Sequence, residues 1–157
     1  MVDINEVFNM LDSNSPQAIQ EIGIQYAKSI RYFSILFRPV ENKGIWENCA
    51  KVICTKTDDE LKGYYLWKMF EWLQDMNWPG ASIIYDRICE MNAANIVSDY
   101  IYSIKRALHA KDGIWLNYLA GFIGDMPIYD LLPPFYQSIL VKRNKNFWGN
   151  FSVNEKP

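Results

Sequence analysis

The sequence predicts an all-α protein, a short α-solenoid of the HEAT or armadillo kind with about seven to nine helices. Three observations carry this reading. Apolar residues recur at the 3.6-residue helical spacing in every strongly patterned segment, and caps and prolines punctuate those segments. Trp46, Trp78 and Trp115 each stand at a predicted helix start, 32 and 37 residues apart, followed at plus seven by Ile53, Tyr85 and Phe122. Repeats of that period, built from helix pairs, stack their apolar sides on one another. No segment joins period-2 alternation to Asn-Gly turns and β-branched residues, the pattern of a sheet.

The elements follow in order. Ile4, Val7, Phe8 and Leu11 define a first helix. Ser15 as N-cap and Pro16 at the first helical position open a second, with Ile19, Ile22, Tyr26, Ala27 and Ile30 as its core stripe, running on to Phe37 before Arg38-Pro39 stops it. Trp46, Cys49, Ala50 and Ile53 form the face of a short third helix. Thr57-Asp58-Asp59-Glu60 reads as a capping box opening a fourth over about Asp58 to Asp75, apolar on much of its circumference. Pro79 starts a fifth, with Asn77 as its cap and Asn92 at its end. Val97, Tyr100, Ile101, Ile104 and Leu108 place the sixth, and Asp112 caps a seventh carrying Trp115, Tyr118, Leu119, Phe122 and Ile123 up to Gly124. Pro133-Pro134 separates a turn after Pro127 from a final helix over about Pro134 to Arg143. Residues 1–145 read as one domain and 146–157 as a C-terminal tail.

Composition narrows the classes of function. Residues 1–78 carry 8 positive and 11 negative charges and residues 79–157 carry 8 and 7, so no strong field points at nucleic acid or anionic lipid. Charges interrupt the apolar stretches well short of the ~20 residues that span a bilayer, and the start lacks the basic and apolar pattern of a secretory signal. No membrane association is expected, and a cytoplasmic location is. Cys49, Cys54 and Cys89 read as buried free thiols.

Chemical candidates are few. His109 is the only histidine, which excludes a multi-imidazole zinc site. Glu71 with Asp75, and Asp86 with Glu90, are carboxylates at i, i+4 that an enzyme could use for a cation or for acid and base work; solvated helix faces carry such pairs routinely. No phosphate-cradling glycine loop or nucleophile elbow is present, and no cofactor is expected. Lys142, Arg143 and Lys145 with Phe147, Trp148 and Phe151 resemble a single-strand grip, but cations at a helix C-terminus and aromatics folded back on the core explain them better.

The chain holds 24 aromatics, the residues enriched at interface hot spots. Tyr64 and Trp67 fall off the main apolar line of the fourth helix and are expected to face outward. With Asp75 and Trp78 at the following corner they are the candidate binding residues.

The stretches Trp46-Glu47-Asn48-Cys49-Ala50-Lys51-Val52, Thr57-Asp58-Asp59-Glu60-Leu61 and Glu71-Trp72-Leu73-Gln74-Asp75-Met76-Asn77-Trp78-Pro79-Gly80-Ala81 resemble a bacterial domain of unknown function, DUF5071, with Asp112-Gly113-Ile114-Trp115 similar to its later helix start. The resemblance covers about residues 43–123. It implies a HEAT-like fold and, through the appearance of such families among contact-toxin immunity loci, a toxin-neutralising role. It brings no catalytic residues. The favoured expectation is therefore a protein-binding helical module, with a toxin as a candidate partner; a small enzyme using surface carboxylates and a nucleic-acid binder through the C-terminal basic segment are the alternatives.

Overall fold

The computed structural model describes residues 2–149, and among them every regular element is helical. The α-helical segments are α1 (Ile4–Leu11), α2 (Gln17–Lys28), α3 (Trp46–Ile53), α4 (Asp58–Leu61), α5 (Tyr64–Trp72), α6 (Ala81–Cys89), α7 (Ala93–His109), α8 (Gly113–Ala120), α9 (Phe122–Asp125) and α10 (Pro134–Phe147). Short 3-10 turns at Phe33–Leu36, Lys43–Ile45 and Tyr129–Leu131 join them.

Local chemistry sets the boundaries. Asp3, Asn92 and Asp112 accept backbone N–H bonds at the starts of α1, α7 and α8. The Thr57 hydroxyl and Glu60 carboxylate exchange both bonds of the capping box that opens α4. The tryptophan indoles buried deepest give their N–H to backbone carbonyls: Trp46 to Pro39, Trp72 to Pro79 and Trp115 to Phe70, at 2.7, 3.1 and 2.9 Å. A large ring can lie in the core only when its polar edge is satisfied in this way.

Packing runs along the chain. α1 lies on α2, α2 on α3, α3 on α6, α5 on α6 and α7, α7 on α8, and α8 on α10. Cross-contacts give the directions. Trp67 meets Asp99 and Glu71 meets Arg106, so α5 and α7 lie side by side in the same sense. Gly80 abuts Trp46 and Ala50, Cys54 meets the Ile83 carbonyl, and Arg87 meets Lys56, so α3 and α6 do the same. At Gly80, φ is +84° and an added Cβ would stand 2.6 Å from the Ala50 Cβ; glycine serves both the turn and the close approach.

Several expected elements differ. The second helix stops at Lys28, and three of its five expected core residues are outside: Ile19, Ile22 and Tyr26 are 40%, 46% and 43% exposed, while Ala27 of that stripe is buried with Gly23, and Ile30 is half-buried. Small residues won because α1 approaches closely; a Cβ on Gly23 would lie 2.6 Å from the Met10 Cβ. Pro16, not Ser15, is the N-cap of α2, and the Ser15 hydroxyl donates instead to the Asn9 carbonyl. The helix expected over Asp58 to Asp75 breaks at Gly63, whose φ of +73° ends α4 and starts α5. The fifth helix begins at Ala81 with Gly80 as its N-cap and no side-chain cap; exposed Asn77 lies before that start, its N–H bound by Asp75. Asn92 starts α7 and does not end the helix before it. The face α7 buries is Ile96, Tyr100, Ser103, Ile104 and Ala107, rotated from the one expected, and Val97, Ile101 and Leu108 are half-buried. The last helix reaches Phe147, with Asn144 fully buried and donating to the Ala120 carbonyl.

Candidate binding surface

The outward side of α5 is Tyr64, Trp67, Lys68 and Glu71, spaced i, i+3, i+4 and i+7, one helical stripe. The inward side, Leu66, Met69, Phe70 and Trp72, is buried. On α7 the neighbouring stripe is Asp99, Tyr102 and Arg106. The two interlock: the Trp67 indole donates to Asp99 Oδ1 at 2.6 Å, the Trp67 and Tyr102 rings lie 4.6 Å apart, and Arg106 reaches Glu71 at 3.1 Å.

Glu71 is the charge hub. Arg38 binds its Oε1 at 3.3 Å, and Lys68 and Arg106 its Oε2 at 3.5 and 3.1 Å. Burial alone would raise the Glu71 carboxyl; the Arg106 hydrogen bond and the charges of Lys68, Arg106 and Arg38 outweigh it and hold the group below its ordinary range. Each cation also lies beside an aromatic ring, Arg38 over Trp78 at 4.9 Å, Lys68 by Tyr64 at 5.7 Å, and Arg106 by Trp115 and Tyr102 at 5.6 and 5.9 Å.

Arg38 arrives from the segment before α3 in a left-handed backbone conformation, φ +51°, which costs a residue with a Cβ about 1–2 kcal/mol. The following Pro39 keeps residue 38 out of the right-handed helical region. Its Nε is buried and meets no acceptor among the described residues, and burial pulls the guanidinium below its ordinary value against the pull of Glu71. It remains charged at any physiological pH.

The four expected residues divide into two neighbourhoods. Tyr64, 53% exposed, and half-buried Trp67 lie on the α5 stripe. Asp75 and Trp78 lie in the corner after α5: Asp75 accepts the Asn77 N–H at 2.8 Å, and Trp78 stacks edge-on against Trp46 at 5.7 Å. Arg38, over Trp78 and against Glu71, links the two. Sequence reasoning missed Arg38, Asp99, Tyr102 and Arg106. Tyr102 and Arg106 fall off the apolar line of α7 as Tyr64 and Trp67 fall off that of α5, and that was the available signal; nothing local to Arg38 announces a partner 33 residues away.

The other candidates sit differently. Glu71 and Asp75 do not share a partner, and no group of three His, Cys, Asp or Glu side chains that could hold a metal occurs among the described residues. Burial pushes the Cys49, Cys54 and Cys89 thiols up to about 12, so all three are protonated at neutral pH. At the C-terminus, Arg143 binds the Gly113 carbonyl and Asn117, and Trp148 donates to the Asn117 carbonyl and stacks on Tyr85. These groups fold back on the core; Phe151 lies outside the described residues. No helix among the described residues is long and apolar enough to cross a membrane.

Searches of curated proteins and of solved structures find no match. Residues 46–140 match the family described as Domain of unknown function (DUF5071), a span that contains α3 to α9, the start of α10 and every residue of the surface except Arg38. That span is more than half of the chain, and the protein belongs to the DUF5071 family.

Proposed function

We propose that the protein is a protein-binding helical-repeat module whose partner rests on the face formed by α5 and α7. The observation that carries the reading is the composition of that face: Tyr64, Trp67 and Tyr102 beside Arg106, Lys68 and Arg38, with Tyr64 and Tyr102 53% and 42% exposed. Tyr, Trp and Arg are the residues that dominate interface energetics, and rings fixed by neighbouring bonds lose little entropy on binding. Trp67 is held by Asp99 and Arg106 by Glu71, so the face is ordered before a partner arrives.

The repeat part of the reading is supported by register. Contacts between same-sense neighbours join residues 32 apart (Trp67 and Asp99), 35 apart (Glu71 and Arg106) and 31 apart (Lys56 and Arg87), close to the tryptophan spacing of the sequence. Equivalent helices of successive pairs meet in this way in a solenoid. Neutralisation of a bacterial toxin in the cytoplasm is the specific role that the family resemblance suggests; three unpaired cysteines suit a reducing compartment.

The test is affinity capture with the wild type, Tyr64→Ala and Tyr102→Ala, each with its melting temperature. The reading expects a specific partner of the wild type to be lost from both variants while each melts as the wild type does. Full retention of that partner by both folded variants contradicts it.

A further inference from the structure

We infer that the Arg38, Lys68 and Arg106 cluster is an oxyanion site that takes the carboxylate of an acidic side chain presented by the partner protein, an inference that rests on the binding reading above. Three cations from three separate segments converge on one carboxylate, at 3.3, 3.5 and 3.1 Å. Glu71 supplies one negative charge, so two positive charges stay in excess. They stay so where water is partly excluded, since the side chains of Arg38 and Glu71 are only 17% and 16% exposed. Charges of one sign held together in a partly desolvated site raise the free energy of the unbound protein, and an incoming anion relieves it.

The geometry says where that anion enters. Arg38 is the inner member, covered by Trp78. Lys68 and Arg106 are the outer ones, 31% and 37% exposed, and each spends one donor on Glu71 Oε2. An ammonium has three donors and a guanidinium five, so both keep donors beyond the one given to Glu71 on heads that are partly exposed, and the planar fork of Arg106 suits a carboxylate approaching in its plane. Trp115 and Tyr102 lie against Arg106 and Tyr64 against Lys68, which fixes the cationic heads without neutralising them. Asp99 of the α7 stripe accepts the Trp67 indole N–H and keeps its charge, and among the described residues the ion pairs of the three cations run to Glu71 and not to Asp99. The exposed Tyr64 and Tyr102 rings lie beside Lys68 and Arg106 and give a polypeptide, unlike a small free anion, further surface to contact.

The experiment titrates the full-length protein with a capped tetraglutamate peptide, a capped tetraglutamine peptide and inorganic phosphate at constant ionic strength. The readout is the indole N–H signals of Trp67, Trp78 and Trp115 by NMR. Tetraglutamate is expected to shift them saturably and tetraglutamine not. Lys68→Gln and Arg106→Gln each weaken tetraglutamate binding about tenfold, Arg106→Lys, which keeps the charge and loses the fork, weakens it less than Arg106→Gln does, and the exposed Lys142→Gln leaves it unchanged. Should Arg106→Gln fail to fold, Lys68→Gln and Arg106→Lys decide the matter. Equal response to tetraglutamine, or wild-type affinity in the folded neutralised variants, overturns the site. Phosphate that saturates the same signals where tetraglutamate does not makes it a small-anion site and overturns the side-chain assignment. In the capture experiment, Lys68→Gln and Arg106→Gln that keep a partner lost by Tyr64→Ala and Tyr102→Ala remove this site and leave the binding reading; retention by all four removes that reading too.

Discussion

Glu71 gathers three cations on its two oxygens, so its protonation unbalances three side chains at once. Its carboxyl titrates below the ordinary range when folded, which means the stabilisation is present above the unfolded value of about 4.3 and lost as the pH falls through the lower folded value. By the loss of hydrogen bonds to charged groups, Glu71→Gln is expected to cost about 1.5–3 kcal/mol at pH 7, and by the direction of its titration to lose less further stability on acidification than the wild type does. Urea melts of both proteins at pH 7 and pH 3 read this directly, and an unchanged difference between them at the two pH values contradicts it. Trp72 acts at the same scale by packing. It is fully buried, donates to the Pro79 carbonyl and lies edge-on to Trp46 at 6.1 Å, so Trp72→Ala is expected to destabilise by about 3–5 kcal/mol. Thermal or denaturant unfolding measures it.

The helices divide into those whose sequence states their own limits and those whose limits come from elsewhere. α4 and α8 start where local residues say they should, because the Thr57 and Asp112 side chains cap their own helices with no help from the rest of the chain. α2 shows the opposite case. Its apolar pattern nominates Ile19, Ile22 and Tyr26 along with Ala27, yet the close approach of α1 keeps only Ala27 of these and adds Gly23, and no residue of α2 alone reports that Met10 will lie against it. Gly63 was legible in principle, since glycine is the residue that takes positive φ readily, but the capping box before it and the apolar run after it read as one helix. The two turn glycines make a graded prediction. At Gly63 an added Cβ meets nothing within 4 Å, so Gly63→Ala carries only backbone strain, about 1–3 kcal/mol for a φ, ψ of +73°, −128° that lies outside the left-handed helical well. Gly80→Ala adds a clash with Ala50 and the Trp46 carbonyl and is expected to cost clearly more. Melting the two variants side by side checks the order.

At the scale of the whole molecule, the fold class was legible because helical periodicity is a local signal, whereas the surface was legible only in part. Tyr64 and Trp67 were found because they fall off the buried line of one helix. The charges that complete the surface come from the segment before α3 and from α7, and only the folded arrangement brings Arg38 and Arg106 to Glu71. Arg38, Glu71 and Arg106 are each tied to another element, as are Trp67 and Asp99, so the face belongs to the assembled protein and not to any helix alone. The central claim, that a partner protein docks on this face, is tested most directly by hydrogen–deuterium exchange of the full-length protein with and without its captured partner. The account predicts new protection concentrated in α5, α7 and the segment holding Arg38, with α1, α2 and α10 unchanged. Protection confined to α1, α2 or α10, with α5 and α7 exchanging as in the free protein, would contradict it.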